Sequence, residues 1–418
     1  MPHNALIADL EEFLAIGALA DQAVTELLEG FCVEARRQGL SISRAMIAWR
    51  LLNPIFMTQN ITWDVTKDGV EIEKFRHGEG GTSQDFLQSP IRYVVDHDVA
   101  LLRRKIADPN SPLDFPLLHS FKERGYTDYV LMLIKFGRPM AVDVPGAGIL
   151  VSFCSDAPGG FNEMDLLALE RLKFMLALAT RSTIQRDMRD SLAQTYLGRA
   201  AGQKVLSGQI MRGEGQSIDA VIWYCDLRGS TAICERLGLE DYLPFLNDYF
   251  CATAGPIAAA GGDVLDFIGD AVLAIMPLED DGIARMLSAT KDVLEELEKF
   301  RKEQAGVLGD RTCLADIAGI AIDTGPVMYG NIGIPDRLTF SVIGPTVNKV
   351  ARIERLTKAL REPVLVTNPI ASACGGWQSC GMFELEGVGA AQELFAWTGV
   401  AERGVAHEPV KGLAGSHS

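Results

Sequence analysis

The chain has 418 residues, enough for two or three domains, and its 48% hydrophobic and 22% charged residues are ordinary proportions for domains with packed cores. Its 39 Lys and Arg against 55 Asp and Glu leave a net charge of −16. A field of that sign repels phosphate, so the composition argues against a general binder of nucleic acid or anionic membrane, and any phosphate handled here needs metal ions or a few placed cations.

In chain order, Leu6, Leu10, Phe13 and Leu14, then Val24, Leu27, Leu28 and Phe31, recur at helical spacing and predict helices at the start. The opening stretch carries Asp9, Glu11 and Glu12 with no basic region ahead of its apolar part, unlike a secretory signal. From about Ile55 the pattern turns to short β-like pieces, ITWDV and VEIEKF, with Gly-rich breaks at Gly78–Gly81. YVLMLIKF (129–136) and GILVSFC (148–154) read as further strands, and the APGGFN turn leads into a long helix from about Glu163 to Leu192. On that helix Ile184, Met188, Leu192 and Tyr196 lie four apart, which fits either a dimer-forming seam or simply a buried side. Residues 198–217, Gly-rich and charged, read as a connector.

From Ile218 the pattern is regular. DAVIWYCD (219–226) reads as a buried strand, followed by a helix reaching about Ala260. DVLDFI (263–268) and AVLAIM (271–276) form a hairpin through the very short turn at Gly269 and Asp270. A charged amphipathic helix over about Gly282–Lys302, strands at 315–325 and 337–344, a helix over 346–360 and a strand at 363–367 complete the order. This predicts an α+β fold: a C-terminal ferredoxin-like βαββαβ layout, with helices on one side of a largely antiparallel sheet. The four segments expected are 1–162, 163–217, 218–400 and a disordered tail over 401–418. No stretch approaches the roughly 18–20 apolar residues that cross a bilayer. Eight cysteines without a CxxC pair, most in apolar surroundings, point to a reducing, cytoplasmic setting, and six scattered histidines give no zinc constellation.

Asp226 ends a strand and is followed by Leu227, Arg228, Gly229, Ser230 and Thr231 at a helix start, while Asp270 sits in the hairpin turn. One such acid is ordinarily a loop carboxylate or a cap. Two at adjacent strand ends can meet at one point, which is what binding two hard divalent ions requires. The amides of Gly229, Ser230 and Thr231 would add an anion cradle. Further on, Asn348 and Arg352 lie four apart on one helix face, where an amide can orient a sugar oxygen and a guanidinium can stabilise charge on an α-phosphate. No Ser/His/Asp or Cys/His set and no GxxxxGK[ST] loop stands out, which weighs against hydrolases and P-loop enzymes.

VIWYCDLRGST, GGDVLDFIGDAVLAIMP, GPVMYGNIG and RLTFSVIGPTVNKVARIE, in that order, together resemble the catalytic domain of class III nucleotidyl (adenylate/guanylate) cyclases over about Ile218–Trp397. The N-terminal half resembles a GAF- or PAS-like sensor in outline. FPLLHSFKERGYTDYVLML, the APGGF turn and TYLGRAAGQKVLSGQIMRGEG are similar to bacterial members of the family with a GAF-like N-terminal half.

The resemblance implies conversion of a nucleoside triphosphate to a 3′,5′-cyclic nucleotide and pyrophosphate by a head-to-tail homodimer with shared sites, and a possible small-molecule ligand on the N-terminal domain. It implies that Asp226 and Asp270, with Leu227, hold two Mg²⁺ or Mn²⁺ ions. Leu227, Gly229, Ser230 and Thr231 would line the substrate, and Asn348 and Arg352 would come from the partner subunit. Where the family reads the base, this chain has Asp266 and Ser341. A carboxylate can accept from both guanine donors and a hydroxyl can donate to O6, so the pair favours GTP, with ATP the alternative. A non-catalytic cyclase-homology module, and a receptor whose output is the cyclase, are the competing readings.

Overall fold

The computed structural model describes residues 2–78, 84–136, 147–309, 311 and 313–398, and side chains only from Leu6 onward, Asp85 excepted. The expected tail over 401–418 and most of the Gly78–Gly81 break lie outside those residues. The chain divides into two compact units, 1–195 and 196–418.

The first unit runs α1 (Pro2–Leu19), α2 (Val24–Arg37), β1 (Arg44–Arg50), β2 (Phe56–Asp64), β3 (Val70–Arg76), α3 (Gln84–Leu87), α4 (Pro90–Asp96), β4 (Leu101–Arg104), α5 (Pro116–Glu123), β5 (Asp128–Lys135), β6 (Gly148–Ser155) and α6 (Glu163–Leu197). Its sheet has the order β3-β2-β1-β6-β5-β4, with every neighbouring pair antiparallel. Alternation along the strands splits the core. Ile47, Val130, Met132 and Val151 face α1, α2 and α6, whereas Tyr129, Leu131 and Leu133 face α4 and α5. β1 and β4, bounded by arginines, were not foreseen. The proposed seam on α6 is not continuous: Ile184 is buried and Met188 packs on this unit's core, but Tyr196 is exposed.

The second unit runs α7 (Arg199–Leu206), β7 (Gly215–Leu227), α8 (Ser230–Leu237), α9 (Leu239–Ala259), β8 (Asp263–Ile268), β9 (Ala271–Pro277), α10 (Gly282–Glu303), α11 (Ala305–Leu308), β10 (Ala318–Ile334), β11 (Arg337–Ile343), α12 (Pro345–Leu360), β12 (Val364–Thr367), α13 (Asn368–Ala373), β13 (Trp377–Phe383) and β14 (Gln392–Trp397). The sheet order is β13-β14-β12-β10-β7-β9-β8, with β11 paired to β10. β7 is antiparallel to both neighbours, and β10 with β12 is the parallel pair.

Both faces of this sheet are covered, which is why DAVIWYCD reads as an unbroken apolar run. Val221, Trp223 and Cys225 pack with β9 and β10 side chains against α9 and α10. Ala220 and Ile222 face Val350 and Ile353 of α12. The expectation of helices on one side therefore fails, because α12 lies opposite α9 and α10. The connector over 198–217 also differs: it holds α7, whose Ala201 is buried in the second unit's core, and the start of β7. Only three of the eight cysteines, Cys32, Cys154 and Cys225, are buried, and Cys251, Cys313 and Cys374 are exposed. The expectation that most would sit in apolar surroundings therefore fails. Among the described residues no helix is long and apolar enough to cross a membrane.

Candidate active site

The parity of β7 decides where its last acid points. Cys225 and Leu227 enter the α9/α10 core, so Asp226 emerges on the α12 face with Ala220 and Ile222. Antiparallel pairing sets Asp226 opposite Ala271, the residue after Asp270 in the β8–β9 turn. Gly269 takes φ +67 there, a left-handed conformation that favours glycine. The two acids thus converge through strand pairing alone, close enough for each to feel the other's charge. Burial, then the charge of Asp270, push Asp226 up to about 6, against the pull of Arg228.

Arg228 acts on Asp226 but commits its Nη groups to Glu354 and Thr357, and two adjoining carboxylates offer the oxygen donors that suit a hard cation. Leu227 buries its side chain, so only its backbone can contribute. Among the described residues no set of three or more His, Cys, Asp and Glu side chains is arranged for a metal, so the pair plus backbone oxygen is the fitting donor set. Gly229 precedes α8 with φ +63, and a Cβ there would lie 2.7 Å from Arg311 Nη2. Arg311 Nη1 donates to the Arg228 carbonyl at 2.5 Å. Ser230 and Thr231 open α8, where the first backbone N–H groups have no intrahelical acceptor.

Four residues around the acids escaped the sequence reading. Tyr242 on α9 lies near the acids: burial, then the negative charge of Asp270, raise its hydroxyl. Tyr224 shares the face of Asp226 and is raised by burial and by that acid. Arg228 donates to Glu354 Oε1 at 2.9 Å and to Thr357 Oγ1. Burial pushes Glu354 up to about 7, Arg228 opposing it and Asp226 adding to it. Arg228 and Glu354 do lie inside two of the quoted motifs, DLRGST and VARIE, which was the available signal. Gly319, opposite Asp226 on β10, gives this cluster room: a Cβ there would collide with Arg228 Nη2 and Thr357 Oγ1, and would lie 2.6 Å from Glu354 Oε1.

Asn348 is exposed on the first turn of α12 and Arg352 is half-buried one turn later, its Nη2 3.4 Å from where a Cβ on Gly387 would sit. Among the described residues no hydrogen bond or ion pair joins either side chain to Asp226 or Asp270. Lys349, between them in sequence, reaches the fully buried Asp323 at 2.6 Å and pins the start of α12 to β10. Asp266 is exposed on β8 after a bulge, and pairs with Leu273. Ser341 is half-buried on β11, opposite Gly330. No described hydrogen bond joins Asp266 and Ser341. Strand pairing brings the two acids together within the chain, and no described hydrogen bond or ion pair links Asn348, Arg352, Asp266 or Ser341 to them.

No protein-family model matches the chain. Over 150 residues, 36% of its length, it is 35% identical to an adenylate cyclase of Anabaena cylindrica, a stretch that is 29% of that relative. It is 29% identical over 196 residues to adenylate cyclase 2 of Rhizobium meliloti (strain 1021), covering 46% of this chain and 50% of the relative. The chain thus spans half or less of the length of these relatives. A crystal structure of a guanylyl cyclase matches with TM-score 0.39 and 27% identity, covering 45% of this chain and 95% of that one. Over these stretches, which hold the four motifs, the chain is similar in sequence to curated adenylate cyclases.

Proposed function

We propose that the chain cyclises a purine nucleoside triphosphate, forming the bond from ribose O3′ to the α-phosphorus and breaking the bond from that phosphorus to the oxygen bridging to the β-phosphate. The products are a 3′,5′-cyclic nucleotide and pyrophosphate, and the 3′-OH proton leaves to solvent. The convergence of Asp226 and Asp270 carries this reading. Mg²⁺ or Mn²⁺ bound there would lower the pKa of the 3′-OH and neutralise the triphosphate. The chain's own groups do the rest. The α8 amides receive phosphate oxygens, Asn348 orients the ribose, and Arg352 stabilises charge on the α-phosphate.

In this reading Asn348 and Arg352 reach the acids from a second copy, which completes each site. Exposed apolar side chains support such pairing: Phe267 and Ile268 beside Asp266, Ile343 beside Ser341, and Leu239 and Leu243 on α9. Asp266 and Ser341 favour guanine by donor and acceptor matching. The ATP reading is supported by the relatives called adenylate cyclases. For the first unit we infer a GAF-like sensor. Its antiparallel sheet flanked by helices supports that reading, with a cavity of about 640 Å³ lined by Tyr93, His97, Phe115 and His119 as the place for a small ligand.

The test is turnover of all four nucleoside triphosphates by the purified full chain with Mn²⁺ or Mg²⁺. Preference for GTP is expected. A clear preference for ATP removes the guanine assignment, and no turnover of any of them removes the cyclase.

A further inference from the structure

The buried cluster beneath Asp226 joins two parts of the fold that the proposed dimer assigns to different sites. Arg228 is two residues past Asp226, and its side chain is 12% exposed. Its backbone N–H donates to the Ile317 carbonyl at 2.8 Å, and its own carbonyl accepts from Arg311, so the strand end is fixed from both sides. Its two Nη groups fork onto Glu354 and Thr357, side chains of α12 with essentially no solvent contact. Arg228 Nε is buried without a partner, so the fork alone anchors the guanidinium. Glu354 stands two residues after Arg352 and six after Asn348.

We propose that Arg228, Glu354 and Thr357 are positioning residues that lock the metal-binding strand end to the helix carrying Asn348 and Arg352. Because a protomer gives its acids to one site and its α12 to the other, this lock mechanically links the two sites of a dimer. The inference rests on the shared-site cyclase reading above. A buried two-armed guanidinium contact is the geometry to transmit a displacement, since it fixes orientation as well as distance. An ångström of misplacement at either end costs up to about 10²-fold in rate.

Mixed dimers of the full-length chain test this. One chain carries Asp226→Asn with Asp270→Asn and donates only α12. The other carries Asn348→Ala with Arg352→Ala and donates only the acids. Each is inactive alone, and the mixture has one complete site. Glu354→Gln in the acid-donating chain, whose own α12 is already disabled, is expected to lower the rate of the mixture by about tenfold or more. Arg228→Lys in the α12-donating chain, whose acids are already disabled, is expected to do the same. Thr357→Val should reproduce the loss in either chain, and Thr357→Ser, which restores the hydroxyl, should recover it; thermal melts identify any variant that fails to fold, and the other substitutions then decide. A mixture indifferent, within twofold, to these cross-placed substitutions overturns the linkage alone. A mixture with no activity beside an active wild-type chain overturns the shared site and the linkage with it. A wild-type chain that cyclises nothing overturns the cyclase reading as well.

Discussion

The acids Asp128 and Asp64 of the first unit and the pair Asp226 and Asp270 of the second are treated in opposite ways. In the first, Asp128 is fully buried and accepts from Arg103 at 2.6 Å and from the backbone of Tyr129 and Phe161. Burial raises Asp64 there, but the Tyr126 hydroxyl, the Thr66 side chain and amide, and Arg124 outweigh it and leave its carboxyl below the usual range. In the second unit Asp226 rises to about 6 beside another acid, and Glu354 to about 7 despite its arginine. An acid supplied with donors holds a structure together. An acid pair whose neighbouring arginine is committed to other partners is instead a place where something cationic belongs.

Five variants sharpen or break that contrast. The largest effect is expected at Asp270→Asn, with cyclic-nucleotide formation falling by about 10³–10⁵-fold, the scale on which phosphoryl-transfer sites lose a charge-stabilising group. Arg352→Ala is expected in the same range, with the melting temperature held. Activity retained in Asp270→Asn would leave the acid pair without a catalytic role, and activity retained in Arg352→Ala would remove the role proposed for that guanidinium.

Next is base choice. Asp266→Lys with Ser341→Asp is expected to move the ATP-to-GTP ratio of kcat/KM toward ATP by about 10²-fold or more. An unchanged ratio places base reading elsewhere.

Asp128→Asn in the first unit is expected to cost about 3 kcal/mol of stability, because Arg103 loses its charged partner. Denaturant unfolding measures it, and a loss under about 1 kcal/mol would place Asp128 with the dispensable acids.

The smallest effect is in pH dependence, and its sign differs between the units. A raised native pKa means the folded chain holds its proton more tightly. The stabilisation from Asp226 and Glu354 is therefore complete below the unfolded value, near 4, and is lost as pH rises through about 6 and about 7. Asp64 behaves conversely: its contribution is present above the unfolded value and is lost as pH falls. In chelator, Asp226→Asn should melt higher than wild type at pH 8 and lose that advantage by pH 4. A constant difference across the range would contradict the repulsion between the acids.

Much of the second unit was legible because its signals are local. The hairpin through Gly269 and Asp270, the apolar run of β7 and the spacing of α12 are each readable within a dozen residues. The meeting of Asp226 with Asp270 was legible only as a possibility until β7 paired with β9. The contact of Arg228 with Glu354 spans 126 positions, and no periodicity encodes a partner that far away. β1 was missed because the arginines at its two ends mask a buried strand, and β4 because it is four residues long and half of it is arginine. The one-sided helix layout failed for a related reason, since the apolar stripe of α12 does not say which face of a sheet receives it.

Gly319 has no unusual backbone angle, so its demand is one of volume alone. Even the smallest side chain would occupy space already taken by a guanidinium, a hydroxyl and a carboxylate. A methyl at 319 therefore has to displace the ends of Arg228, Thr357 and Glu354, the three side chains that make the lock. Saturation libraries over 319 alone should be dominated by glycine, while paired libraries over 228 and 319 should admit larger residues at 319 wherever Arg228 is replaced by a smaller one.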